Sequence, residues 1–146
     1  MYKYIVLLHI LAATVWVGGH LILVSTILPE TFRKKNIEIL LNFEQKYERI
    51  GMPSLLILVI SGLYLAYTLL PDFSQWFTFE THIAKHVSTK LILLTTTILL
   101  ALHARFRLIP NLTMKTLPLL SVHIIAVTVV AVLFVVIGLS LRMYIF

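Results

Sequence analysis

The 146-residue chain contains no cysteine. That absence excludes disulfides, thiolate metal sites, iron–sulfur clusters and the covalent attachment of c-type haem. Methionine is scarce too, with four residues in all, and Met52, Met114 and Met143 fall at the ends of apolar runs. Imidazole is therefore the dominant soft-to-borderline ligand left to the chain. There is no internal repeat, no low-complexity tract and no stretch polar enough for a water-soluble domain.

What the chain has in quantity is hydrocarbon. Hydrophobic residues make up 60% of it, and its mean hydropathy is +0.99. Runs of about 20 apolar residues read as membrane helices, because lipid offers backbone N–H and C=O groups no other partner. Four such runs cover residues 4–28, 52–70, 87–104 and 117–141. The expected fold is all-α: one integral membrane four-helix bundle occupying residues 1–146. The first run is longer than a signal-peptide core and lacks a small-residue cleavage site, so it reads as a retained span.

The net charge of +6 concerns topology and anionic lipid, not nucleic acid. Arg33, Lys34, Lys35, Lys46 and Arg49 lie between spans one and two, and Arg105, Arg107 and Lys115 between spans three and four. The middle connection has Lys85 beside Asp72 and Glu80, with Phe73, Trp76, Phe77 and Phe79 suited to the headgroup interface. Basic loops stay in the cytoplasm, which places both termini in the periplasm of a bacterial inner membrane. Between Pro29 and Gly51, Ile37, Leu40, Leu41, Tyr47 and Ile50 recur at helical spacing, as in an amphipathic cytoplasmic helix. Gly51 and Pro53 mark the return into the membrane. Span two contains no histidine and no charge, so it reads as scaffold, with Gly62 and Ala66 offering close helix approach.

Against this background stand six histidines. An ionisable group at membrane depth tends to face a bundle interior, a cavity or a partner. His9 and His20 are eleven residues apart, which on a helix means ~16 Å of rise and about 20° of rotation. The two imidazoles therefore stack on one face. By depth, His9, His82 and His86 form an outer layer, and His20, His103 and His123 an inner one. Two layers of imidazole suit two stacked b-type haems held by bis-histidine ligation. Pairing His9 with His86 and His20 with His103 uses spans one and three for both layers, with His82 and His123 as rival ligands. Ala12, Ala13 and Gly19 leave room for a macrocycle, and Trp16 falls between the layers. Lys90, about one turn inside span three, either snorkels outward or meets a haem propionate or quinone oxygen. The same histidines also fit copper, and His82 with His86, at i and i+4, form a spacing that chelates copper or zinc. The plainer alternative is that each histidine caps a helix or bonds a neighbour.

Three segments resemble a known family. LHILAATVWVGGHLIL is similar to the opening span of CopD-type (copper resistance protein D) membrane domains, FEQKYERIGMPSLLILVISGLYLAYTLL to their second span, and TKLILLTTTILLALHARFRLIPNL to their third. The resemblance implies an inner-membrane protein tied to copper handling. His103 departs from it, since the family more often has Asn there. A fainter likeness to the haem-binding HemJ-type protoporphyrinogen oxidases rests on the same histidine and the one entering span one. The leading expectation is a haem b protein exchanging electrons with quinol, in effect a quinol-linked oxidoreductase. The alternatives are a copper transport or resistance protein, and an accessory subunit of a larger membrane complex or homo-oligomer.

The charge count makes one direct prediction. Eight of the twelve Lys and Arg residues lie in the two connections assigned to the cytoplasm, so a reporter fused after Phe146 should be active only in the periplasm. Cytoplasmic activity of that fusion would invert the topology.

Overall fold

The computed structural model describes residues 1–143, with side chains through Ser140. The described chain is helical without a strand. Four helices are long and apolar enough to cross a membrane: α1 (Tyr2–Lys34), α2 (Glu38–Leu69), α3 (His82–Leu108) and α4 (Leu117–Met143). The C-terminal residue that the charge count addresses lies outside the described residues.

Three of these helices, α1, α2 and α3, run further than their apolar stretches. In α1 the helix passes through Pro29, and the turn before it, Leu23–Ile27, widens into a π turn. Proline has no N–H, and its ring collides with the carbonyl four residues back. The Leu28 N–H accordingly bonds to Leu23, five residues back. The same solution recurs before Pro110, where Ala104–Leu108 forms a π turn and the Ile109 N–H bonds to the Ala104 carbonyl at 2.9 Å. α1 ends one turn beyond Pro29, at Lys35, which adopts the left-handed conformation with φ 51°. The Asn36 side chain then accepts the Glu38 N–H at 2.9 Å and starts α2.

α2 carries the amphipathic segment directly into span two, through Gly51 and Pro53, the residues read as marking the return into the membrane. It is continuous across both residues. Pro53 costs one helical hydrogen bond, to the carbonyl of Arg49, but Arg49 is exposed and water can replace the donor. Gly51 is retained for packing: a Cβ there would lie 2.8 Å from Cε1 of Tyr47.

The connection between α2 and α3 is tied down by hydrogen bonds. The indole of Trp76 donates to the Leu70 carbonyl at 2.8 Å, and the Ser88 hydroxyl reaches the carbonyls of Trp76 and Thr78. Asp72 accepts from the hydroxyl and N–H of Ser74 and from the Gln75 amide, which hold its carboxyl below the usual carboxylate range. Thr81 caps α3 by accepting the Ala84 N–H.

Apolar cores sit at the two ends of the bundle. Leu28, Leu40, Leu108, Leu112, Leu117, Leu120 and Ile124 close the basic end, and Leu70, Trp76, Ala84 and Val87 the aromatic end. Between them, large apolar side chains such as Leu56, Ile60, Leu99 and Val129 point outward, as a lipid-facing surface requires. Close packing joins α2 to α1, α1 to α4, and α4 to α3. α1 and α3, the pair expected to hold both cofactor layers, do not pack closely on each other. α2 and α3 are linked at the basic end by Arg105, whose two Nη atoms meet Glu44 at 3.1 Å and Glu48 at 2.9 Å.

The packing of α1 on α2 is built over a tyrosine. Tyr47 of α2 fills the space above Gly19 of α1, where a Cβ would fall inside its ring. Gly18 has open space instead. Gly19→Leu should therefore destabilise the detergent-solubilised protein by about 1–3 kcal/mol, the usual cost of overpacking, while Gly18→Leu leaves its thermal midpoint nearly unchanged. Equal midpoints for the two variants would show that Tyr47 does not occupy this seat.

Candidate functional site

The histidines fall into four settings, and in three of them the hydrogen bonds fix which ring nitrogen carries the proton. His9, half-buried on α1, has Nδ1 2.8 Å from the Ser61 hydroxyl oxygen of α2. The single Ser61 proton is donated to the Ile57 carbonyl, so His9 Nδ1–H must be the donor. Its ring lies over Gly62, where a Cβ would stand 3.3 Å from Cε1. His20 donates Nδ1–H to the Trp16 carbonyl at 2.9 Å. His123 donates Nδ1–H to the Leu119 carbonyl at 3.0 Å, which leaves its Nε2 as an acceptor. That acceptor faces Nδ1 of His103 at 2.8 Å, so His103 is the donor across the α3–α4 interface. The consequence is uniform. His9, His20 and His103 each carry the proton on Nδ1 and keep an Nε2 lone pair for a ligand. Anchoring one ring nitrogen so that the other can bind a metal is the usual support for histidine ligands.

His20 is the most enclosed of the six, 9% exposed. Its ring centroid lies 4.5 Å from that of Trp16 and 5.9 Å from that of Tyr47, the latter edge-on. The Tyr47 hydroxyl donates to the same Trp16 carbonyl at 3.0 Å, and Phe43 stacks on the outer face of Tyr47 at 5.7 Å. Phe43 and Ser61 carry no signal in the sequence pattern, while Tyr47 and Gly62 stand out there only as a residue of an amphipathic face and a point of close helix approach. Helix α2 thus supplies partners to both α1 histidines: Ser61, from the span read as scaffold, to His9, and Tyr47, from the amphipathic segment before it, to His20. The sequence signal was there in Gly19 and Gly51, two helical glycines whose only packing reason is a large side chain between them.

His82 and His86 open α3 with their rings 4.6 Å apart. One turn deeper, Lys90 is half-buried, with its ammonium turned toward α4, where a Cβ on Gly138 would be 3.6 Å from Nζ. Among the described residues no carboxylate pairs with it.

The expected pairing of His20 with His103 is not made: His103 meets His123, and His20 meets Trp16 and Tyr47. His9 likewise bonds Ser61 of α2, not a residue of α3. Among the described residues no group of three or more His, Cys, Asp or Glu could hold a metal ion. The units available are two histidine pairs, His82 with His86 and His103 with His123, and the single imidazoles of His9 and His20.

These tautomers can be measured. Nitrogen-15 spectra of histidine-labelled protein near pH 8 should show the Nδ1–H form for His9, His20 and His123, in contrast to the Nε2–H form that free histidine prefers. An Nε2–H signal assigned to His20 would remove the free lone pair argued above.

No curated protein and no solved structure matches the chain. A family model does: that of copper resistance protein D, over residues 41–141. The match leaves out the span around LHILAATVWVGGHLIL, where a likeness was also read, and extends instead through α4. It takes in Tyr47, Ser61, Lys90 and the histidines of α3 and α4, and it spans well over half of the sequence. This four-helix membrane chain belongs to the copper resistance protein D family.

Proposed function

We propose that the protein handles copper in the bacterial inner membrane, with the ion as cargo and histidines as its stations. Both termini face the periplasm in this reading. His82 and His86 then receive the ion at the periplasmic end of α3, and His103 with His123 holds it near the cytoplasmic end.

The observation that carries the proposal is the bond between His103 and His123. Two imidazole nitrogens share one proton at 2.8 Å across two helices. A cation can take the place of that proton, because two facing imidazoles are a natural linear site for copper(I). With metal–nitrogen bonds of about 2.0 Å, the rings need to part by roughly 1.2 Å. Both histidines lie outside the tightly buried core, so that movement displaces little packing. As the ion binds at Nδ1 of His103, the proton there moves to the same ring's Nε2, so both imidazoles stay neutral and each donates one lone pair. The absence of cysteine keeps affinity moderate, which suits passage of an ion more than its storage.

The purified protein should bind copper(I), and His103→Ala or His123→Ala should each remove the same ion, lowering affinity at that site at least about tenfold, as loss of a ligand does. Cells carrying either variant should lose the copper-dependent phenotype of the intact protein. Unchanged binding in both variants would exclude the pair. A reduced-minus-oxidised spectrum with haem b bands would overturn the reading in favour of electron transfer.

A further inference from the structure

A cavity of about 270 Å³ opens on α1 at the basic end, lined by Ser25, Thr26, Pro29, Glu30 and Arg33. Among the described residues, Thr26 is unlike every other serine and threonine of the four helices. The others each donate to a backbone carbonyl, whereas Thr26 has only a 3.4 Å contact with Ser25. Ser25 gives its own proton to the Leu21 carbonyl, so the Thr26 proton is left for a partner. About two turns further on, Arg33 is exposed and makes no ion pair among the described residues. Glu30 is near enough for its charge to interact with that of Arg33. Lys34 holds one oxygen of Glu30 and leaves the other open. On the membrane side of the cavity, Leu21 and Ile22 are exposed as lipid-facing side chains. The cavity therefore lies where hydrocarbon gives way to headgroups.

We infer that this cavity binds the headgroup of a zwitterionic phospholipid with a primary amine, phosphatidylethanolamine. The phosphate accepts hydrogen bonds from the Arg33 guanidinium and the Thr26 hydroxyl. The ammonium donates to the open oxygen of Glu30, and the acyl chains run along Leu21 and Ile22. A headgroup that is only anionic is a poorer match. It would meet the Glu30 carboxylate, and it would lie beside the C-terminal end of α1, where unpaired carbonyls carry partial negative charge. Both features favour an ammonium next to the phosphate. A quaternary ammonium, as in phosphatidylcholine, has no N–H to donate to Glu30. Free phosphate has neither the ammonium nor the chains. The site shares no residue with the histidine pairs and does not depend on the copper reading.

Native mass spectrometry can read the preference. The full chain is solubilised with equimolar phosphatidylethanolamine, phosphatidylglycerol and phosphatidylcholine of identical acyl chains. One phosphatidylethanolamine should stay bound per chain in preference to the other two lipids. Arg33→Ala should lower its retention about tenfold, as the loss of a charge-assisted hydrogen bond predicts. Thr26→Val, which keeps the shape of the side chain, should lower it as well. Both positions are exposed, so neither variant should fail to fold. Glu30→Gln should keep a lipid bound but move the preference toward phosphatidylglycerol, because the carboxylate that repels an anionic headgroup is gone. Lys115→Ala removes an exposed basic residue outside the cavity and should change nothing. Inorganic phosphate should not displace the lipid. Displacement by phosphate would make this a site for the soluble anion and overturn the lipid assignment. Equal retention of the three lipids would overturn it too, as would a preference for phosphatidylglycerol in the intact chain. A preference unchanged in both Arg33→Ala and Thr26→Val would show that the lipid binds elsewhere.

Discussion

The carbonyl of Trp16 is the contact on which the half of the molecule around α1 depends. It accepts a proton from His20 on its own helix and another from the Tyr47 hydroxyl on the next. In lipid an unmet phenol or imidazole proton costs about 1–3 kcal/mol or more, so both donors are held to this acceptor, the Tyr47 hydroxyl with the Val15 carbonyl as a second, longer one at 3.3 Å. The bond to His20 sets the tautomer of the imidazole. The bond to Tyr47 sets how closely α2 approaches α1, and the two glycines under the ring, Gly19 and Gly51, make that approach sterically allowed. A ring position, a tautomer and a helix crossing thus follow from one oxygen.

The other half is organised by proline and by charge. Pro29 and Pro110 each follow a π turn at the basic end. Such turns insert a residue into the helical register and re-aim the side chains that follow it. In α3 the turn contains Arg105, and Arg105 reaches Glu44 and Glu48 on α2. Those two helices do not otherwise pack closely, so the ion pairs close a seam that apolar contact leaves open. The carboxylates flank Tyr47 in sequence, which joins this seam to the aromatic enclosure of His20.

Much of this architecture was legible in the sequence, and the reasons it was legible also mark where reading stopped. Apolar run length gives the spans directly, because lipid permits few alternatives to a helix. The stacking of His9 and His20 on one face also follows from helical arithmetic, and both rings do turn toward α2. Arithmetic on one helix does not say which neighbour that face meets. Here the neighbour was chosen by small residues, Gly19 and Gly51 beneath Tyr47 and Gly62 beneath the His9 ring, which bring α1 onto α2 instead of α3. His103 and His123 could be placed at one depth from sequence, but depth made them rivals for a ligand role. Their contact across α3 and α4 makes them partners. At Gly51 and Pro53, read as the return into the membrane, the helix runs on unbroken, and Gly51 serves as a seat for the Tyr47 side chain.

The placement of negative charge bears on what kind of ion such a bundle can pass. The chain has six carboxylates, Glu30, Glu38, Glu44, Glu48, Asp72 and Glu80, and all of them lie toward helix ends or in connections. None is set among His9, His20 and Lys90 in the middle of the helices. On the copper reading proposed above, an ion there would meet imidazole lone pairs and aromatic faces but no opposite charge, with Lys90 as a further cationic group. The Born penalty of a bare ion grows with the square of its charge, so a divalent ion would face about four times the desolvation cost of a monovalent one of equal size. Neutral nitrogen donors offset the smaller penalty more readily than the larger. On that reading, a carboxylate-free region of this kind would disfavour divalent metals through charge, before the number of ligands is considered.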